Sequence, residues 1–388
     1  MHKIGFIPLR KNSKGIINKN KRKMVGRPLF TWVLGEAIFS DLDEIFVFTD
    51  DEDIISFINR EYSWTNKVKA LSRSKGSASD SASTESAILE FCEVINYEFD
   101  LFCLLQATSP CTTRQDINNC IQKLEKDQYD SVLTVAQTHR FIWNKDGTPI
   151  NYDIFKRPRR QDFEGLMVEN GAVYGTNKSA LQKTNNRLSG KIAIVEMADE
   201  TLYEIDSESD WIIVEQLLIQ RQKKNKKTEK LTHLILDVDG VFTDGSVFYS
   251  KDGELSKNFD MRDGMGLEIL REHNVQVMVV TSEQSDIVAQ RMKKLKIENV
   301  YLGVKDKFSL LNHICKEKSL SLCNIAYVGD DVNDLANICS VGWSLTPKNA
   351  TQVVKQHADM ILPTNSGNGA IRSACEFIIN YNLRYKNK

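Results

Sequence analysis

Short apolar runs rich in β-branched and aromatic residues alternate with longer stretches of helical spacing along the whole chain. That alternation predicts α/β architecture with mainly parallel sheets. In the first part the pattern places strands at residues 3–9, 44–49, 100–106, 131–136, 172–175 and 191–196. In the second part it places them at 233–237, 275–281, 300–302, 324–328 and 360–362. Between the two sets, residues 221–230 read Arg-Gln-Lys-Lys-Asn-Lys-Lys-Thr-Glu-Lys, without one large apolar side chain. Such a run is expected to be a solvated linker following the helix from Ser209. The organisation that follows is a domain over 1–220, a basic polar linker over 221–230 and a second domain over 231–388. A length of 388 residues agrees, because one hydrophobic core seldom serves so long a chain. No internal repeat is visible.

Composition removes several classes of function. A formal net charge of −1 argues against a nucleic-acid binder, which carries a basic excess or a basic face. No apolar run reaches the ~18–20 residues that span a bilayer, and Met1 to Pro8 reads directly into a strand with no signal-peptide core. The eight cysteines show no CxxC spacing, and several sit inside apolar runs, as Cys103 does in Leu101-Phe102-Cys103-Leu104-Leu105. Free thiols in a reducing, cytoplasmic compartment are the expectation.

The sharpest chemical signal lies in the second domain. In Leu234-Ile235-Leu236-Asp237-Val238-Asp239-Gly240, two carboxylates two residues apart follow a buried strand. They fall at its C-terminal end, where an open α/β sheet places its ligands. Paired carboxylates suit a hard cation such as Mg²⁺. One of them can attack phosphorus while the other moves the proton. A second acidic cluster, Gly329-Asp330-Asp331-Val332-Asn333-Asp334, follows another strand, and between the clusters stand Thr281-Ser282 and Lys307. A hydroxyl and an ammonium so placed can hold a transferring phosphoryl group. One such stretch alone also reads as a polar turn; the argument rests on four in order.

These residues resemble the four motifs of the haloacid dehalogenase superfamily of phosphatases. The resemblance implies Asp237 as nucleophile and Asp239 as general acid/base, with Thr281 and Lys307 holding phosphate. It also implies that Asp330 binds Mg²⁺ with Asp237 and the Asp239 carbonyl, while Asp334 supports Lys307 or the metal shell. The stretch Phe259-Asp260-Met261-Arg262-Asp263-Gly264-Met265-Gly266 and the tail Gly367-Asn368-Gly369-Ala370-Ile371-Arg372 look like its capless branch. That branch acts on phosphates of 3-deoxy-2-ulosonic acids, and its members complete the pocket with a neighbouring subunit, implying a tetramer. Arg262 is then a sugar contact. After Thr281 stand Ser282-Glu283, where octulosonate-type enzymes carry Gly-Arg. A glutamate there resembles the nonulosonate 9-phosphate phosphatases and makes Glu283 a sugar contact. Glu283 also reads as an ordinary carboxylate at a helix start.

In the first domain, strand one ends in Pro8-Leu9-Arg10-Lys11-Asn12-Ser13-Lys14-Gly15-Ile16, then Asn18-Lys19-Asn20. Cations and a glycine for close backbone approach are what a nucleoside triphosphate requires, although the spacing is not that of a Walker A loop. The stretch resembles the signature of CMP-N-acylneuraminate (CMP-sialic acid) synthetases, and the likeness runs on for about 210 residues. It includes Arg73 with Ser79-Asp80-Ser81-Ala82-Ser83-Thr84, Leu104-Leu105-Gln106-Ala107-Thr108-Ser109-Pro110, Lys156-Arg157-Pro158-Arg159-Arg160, Glu169-Asn170-Gly171-Ala172 and Glu204-Ile205-Asp206. The implied fold is a Rossmann-like nucleotidyltransferase. CTP would be the co-substrate, held by Arg10, Ser13, Gly15, Lys19, Asn20, Arg73 and Thr84, with Arg10 and Lys19 on the triphosphate. Gln106, Arg160 and Asn170 would read the sugar, and Asp206 with Glu204 would hold Mg²⁺. The implied reaction is in-line attack of the sugar's 2-hydroxyl on the α-phosphorus. Glu204 stands where many relatives have aspartate, and Val168 where some have arginine.

Taken together, the two resemblances imply a bifunctional enzyme. A nonulosonate 9-phosphate would be dephosphorylated and the free acidic nine-carbon sugar, of the sialic acid or KDN type, joined to CMP. Mg²⁺ would act in both domains, in a homotetramer with dimeric synthetase domains. The alternatives are a second domain that only oligomerises, or octulosonate or legionaminate-type sugars as substrates. Some vertebrate relatives carry a phosphatase-like tail with degraded motifs, whereas Asp237, Asp239, Thr281, Lys307, Asp330 and Asp334 are all present here.

Overall fold

The computed structural model describes residues 1–13, 15–79 and 81–385. Lys14 and Asp80, both within the motif stretches above, lie outside the described residues. The chain forms two compact units. One comprises Met1–Lys23 and Pro28–Leu217, the other Met24–Arg27 and Leu218–Lys388.

The first unit runs β1 (Lys3–Leu9), β2 (Lys23–Met24), β3 (Arg27–Pro28), α1 (Phe30–Ile38), β4 (Glu44–Thr49), α2 (Glu52–Glu61) and β5 (Val68–Ser72). It continues with α3 (Thr84–Val94), β6 (Leu101–Leu105), α4 (Arg114–Lys126), β7 (Ser131–Thr138), β8 (Leu166–Asn177), α5 (Lys178–Thr184), β9 (Ile192–Met197) and α6 (Glu208–Lys224). Residues 24–27 and the end of α6 belong to the other unit. Seven strands form one sheet in the order β5-β4-β1-β6-β8-β7-β9. It is mixed, because β8 runs antiparallel to both β6 and β7. The period of two along each strand divides the core. Ile7, Val47 and Cys103 face α1, α2 and α4, while Phe6, Phe46, Phe48 and Phe102 face Phe91 of α3. The Phe6 and Phe91 ring centroids are 4.6 Å apart.

The second unit runs β10 (His233–Leu236), β11 (Thr243–Ser250), β12 (Gly253–Phe259), α7 (Met261–Glu272), β13 (Gln276–Val280), α8 (Asp286–Lys294) and β14 (Asn299–Tyr301). After these come α9 (Lys307–Glu317), β15 (Ile325–Val328), α10 (Leu335–Ile338), β16 (Trp343–Thr346), α11 (Gln352–His357), β17 (Met360–Ile361) and α12 (Ala370–Asn382). Its sheet, in the order β14-β13-β10-β15-β16-β17, is parallel throughout. The chain moves outward from β10 to one side and then returns to fill the other. β10 is therefore the point where strand order reverses, and ligands gather at its carboxyl end.

The basic run is not a free linker as expected. Its first four residues finish α6, Lys226 Nζ bonds Ser344 Oγ at 3.1 Å and pairs with Asp359, and Thr228 Oγ1 donates to the Gly342 carbonyl at 2.8 Å. Buried acceptors within the second unit, invisible in a local window, hold it there.

Candidate active sites

In the first unit, β1 delivers the loop that follows it to one side of a polar cleft of about 340 Å³. The lining includes Arg10, Ser13, Gly15, Lys19, Asn20, Arg73 and Thr84, together with Gln106 and Asp206. All seven residues expected at CTP are thus brought together. Lys19 Nζ bonds the Ile205 carbonyl at 2.7 Å and lies 3.4 Å from the Asp206 carboxylate. Asn20 Nδ2 donates to the Arg10 carbonyl at 3.0 Å, tying the two ends of the loop. A Cβ at Gly15 would collide with the Asp206 carbonyl, so the loop can approach this segment only with glycine there. Arg73 Nε donates to Ser77 Oγ at 3.1 Å. Burial and the neighbouring Arg10 both lower its affinity for a proton, the mark of two cations converging on one place. Such a site is complementary to a polyanion.

Two expected sugar contacts are placed elsewhere. Asn170 is 2% exposed, and its amide accepts from Thr134 Oγ1 at 2.7 Å and donates to Thr201 Oγ1 at 2.9 Å. Its amide is thus engaged with neighbours inside the unit. Arg160 lies on a 3₁₀ turn and lines a different, wider hollow of about 960 Å³ with Gln137, His139 and Val168. The polar cleft retains Gln106. Glu204 is not among the cleft residues either. Partial desolvation, then the charge of Asp206, push its carboxyl upward.

In the second unit, β10, β13 and β15 lie side by side, with Leu236 opposite both Val279 and Val328. Their ends therefore present Asp237, Thr281 and Asp330 along one edge, and α9 adds Lys307 as its first residue. Lys307 is fully buried, 2.7 Å from Asp237 Oδ2 and 2.7 Å from Asp334 Oδ1. Burial opposes its charge, but the two carboxylates outweigh that and hold its pKa above the usual lysine value. Asp237, Asp330 and Asp334 each offer an oxygen within 4.8 Å of the others. Burial first, then mutual repulsion, push Asp237 up to about 7 and Asp330 up to about 8. Three carboxylates share one ammonium, and Asp330 Oδ1 is buried without a partner. That oxygen and this excess of negative charge fit a divalent cation.

Asp239 Oδ1 accepts from Lys257 Nζ at 2.7 Å, while its other oxygen has no partner. One oxygen is thus held and the other left for a proton. Glu283 pairs with Lys305 at 3.0 Å. Arg262 Nη2 donates to Asn368 Oδ1 at 2.6 Å and chelates Asp260 at the start of α7. Two contributors escaped the sequence reading. Lys257 stands on an exposed hairpin with Glu254 three residues before it, and Tyr327 OH donates to Asp334 Oδ1 at 2.6 Å. Neither belongs to a motif, and only the i, i+3 Glu–Lys pair was visible beforehand.

No helix among the described residues is long and apolar enough to cross a membrane. Residues 4–239 match the cytidylyltransferase family and residues 153–373 match the haloacid dehalogenase-like hydrolases. The chain is 31% identical to N-acylneuraminate cytidylyltransferase A of Danio rerio, covering 97% of this chain and 89% of that one. Its second part is 34% identical to the 3-deoxy-D-manno-octulosonate 8-phosphate phosphatase of Haemophilus influenzae, covering 40% of this chain and 86% of that one. The solved Moraxella catarrhalis 3-deoxy-D-manno-octulosonate 8-phosphate phosphatase is 28% identical with a TM-score of 0.39, over 44% of this chain and 95% of that one. The chain belongs to the cytidylyltransferase family and, in its second part, to the haloacid dehalogenase-like hydrolases.

Proposed function

We propose that the protein removes the phosphate of a nonulosonate 9-phosphate in its second unit and transfers CMP from CTP to the resulting acidic sugar in its first. One observation carries this reading: each unit gathers groups suited to handling phosphate in its half of the sequence. Arg10, Lys19 and Arg73 converge on one cleft, and Lys307 is locked between Asp237 and Asp334. The similarity to a named N-acylneuraminate cytidylyltransferase along 97% of the chain supports a nonulosonate as the sugar, and Glu283 after Thr281 supports the nine-carbon phosphate over the octulosonate.

In the phosphatase unit, Asp237 attacks phosphorus and forms an aspartyl-phosphate, while Asp239 gives its proton to the departing sugar oxygen. Asp239 then takes a proton from the water that attacks the acyl-phosphate, releasing orthophosphate and restoring Asp237. Lys307 and Thr281 neutralise and hold the phosphoryl oxygens. Asp237, Asp330, the Asp239 carbonyl and Asp334 would hold Mg²⁺, which supplies charge compensation. In the transferase unit, Arg10 and Lys19 orient the triphosphate, Asn20 and Arg73 face the cytidine, and the sugar's 2-hydroxyl displaces pyrophosphate. Asp206, with Glu204, would hold Mg²⁺ there.

The proposed assembly is a homotetramer with dimeric synthetase domains. Exposed Leu166, Met167 and Ile194 on one unit, and Phe248, Tyr249 and Leu255 on the other, support it. Eight free cysteines accord with a reducing, cytoplasmic setting. The test is a panel of N-acetylneuraminate and KDN 9-phosphates with octulosonate 8-phosphate, followed by orthophosphate release. A nonulosonate phosphate is expected to have the highest kcat/KM. Preference for the octulosonate would overturn the substrate assignment and leave the reaction class standing.

A further inference from the structure

We infer that Arg27, far from the phosphatase motifs in sequence, is a positioning residue for Lys307. The second unit takes in Met24–Arg27, and Met24, Val25 and Arg27 are buried. The Arg27 guanidinium donates through Nε to Asp306 Oδ1 at 2.8 Å and through Nη2 to Asp306 Oδ2 at 2.9 Å. Nη2 also donates to Ser309 Oγ at 2.7 Å, and the guanidinium lies over the Phe308 ring, 4.8 Å from its centroid. Three of the residues around Lys307 are thus fixed by one side chain. Asp306 is the N-cap of α9, its carboxylate accepting the Ser309 N–H at 3.3 Å. The first turn of α9, and with it the origin of the Lys307 side chain, is fixed by this bidentate, two-residue grip.

The same four residues abut the other acidic loop. Gly26 has φ +80°, and a Cβ there would collide with the Val332 carbonyl, which lies between Asp330 and Asp334. Without Arg27, Asp306 becomes a buried carboxylate with its main counter-charge removed, next in sequence to the ammonium that meets phosphate. The consequence is chemical as well as structural, because a freed carboxylate competes for Lys307 and repels the phosphoryl group.

The proposal rests on the phosphatase reading, and its test separates the two. In the full-length protein, phosphate release by Arg27→Ala and Arg27→Lys is compared with wild type. Orthophosphate affinity in Mg²⁺ is measured by calorimetry, which needs no turnover. Arg27→Lys keeps the charge and guards against misfolding. Both variants are expected to lose roughly tenfold to a hundredfold in kcat/KM, with weaker orthophosphate binding and partial recovery of Arg27→Ala in added guanidinium. Wild-type rates and orthophosphate affinity in both variants, or a loss that follows only the melting temperature, would overturn it. An inactive wild type would refute the phosphatase reading, and the orthophosphate comparison would still decide the role of Arg27.

Discussion

At the scale of the residue, the chemistry is governed by how many charges share one buried volume. Asp263 illustrates the cost when a charge lacks its full set of partners. It is 1% exposed, one oxygen accepts the Arg372 N–H at 2.9 Å, and the other has no partner. Burial therefore pushes it up to about 6. A carboxyl raised in the folded state costs stability as pH rises from its unfolded value toward 6, by up to about 3 kcal/mol. Asp263→Asn is expected to be more stable than wild type in urea titrations at pH 8, with the gap reduced by about half at pH 5. An equal gap at both pH values would show that the charge is not the cause. In the other unit, Lys19→Ala is expected to lower kcat/KM for CTP about a hundredfold in pyrophosphate-release assays. The KM for the sugar should change far less. An unchanged CTP dependence would remove Lys19 from the triphosphate site. That Arg10, Ser13, Gly15, Lys19, Asn20, Arg73 and Thr84 share one cleft follows from motif stretches that can be picked out in the sequence. Asn170 and Lys257 were not legible, because which way a side chain points depends on partners distant in the chain.

At the scale of the element, local chemistry sets the boundaries. α4 begins with a capping box in which Asp116 N–H donates to Thr113 Oγ1 at 3.1 Å and Asp116 Oδ2 accepts the Thr113 N–H at 2.9 Å. Thr113→Ala removes half of it and is expected to cost about 1 kcal/mol. Chemical denaturation would show the loss, with CMP transfer unchanged per folded molecule, and a variant as stable as wild type would contradict it. Strands with long apolar runs, such as β1, β4, β6 and β10, were readable for that reason. β5, reading Val-Lys-Ala-Leu-Ser, and β16, reading Trp-Ser-Leu-Thr, were not, since their pairing with β4 and β15 comes from the sheet. The hairpin of β11 and β12 is largely exposed, so it leaves no apolar signature. β8 runs for 12 residues where only four were expected, because its first residues are exposed and read as loop.

At the scale of the whole molecule, one polypeptide holds two sites for phosphate-bearing substrates at a net charge of only −1. In the first unit the cations are gathered locally, as Arg10 with Arg73 are, whereas in the second Lys307 is outnumbered by its carboxylates. The product of the proposed second site is the substrate of the first, which gives the fusion a chemical rationale. The second unit takes in Met24–Arg27, which the sequence does not signal, because four residues in a turn carry no periodic pattern. The most direct measurement is orthophosphate and pyrophosphate release on one preparation each of wild type and Asp237→Asn, with a nonulosonate 9-phosphate and then the free sugar plus CTP. Wild type should give both products. Asp237→Asn should lose orthophosphate release by at least about a thousandfold while keeping pyrophosphate release. A wild type that forms CMP-sugar but frees no phosphate from any sugar phosphate would contradict the bifunctional account and leave the second unit a structural one.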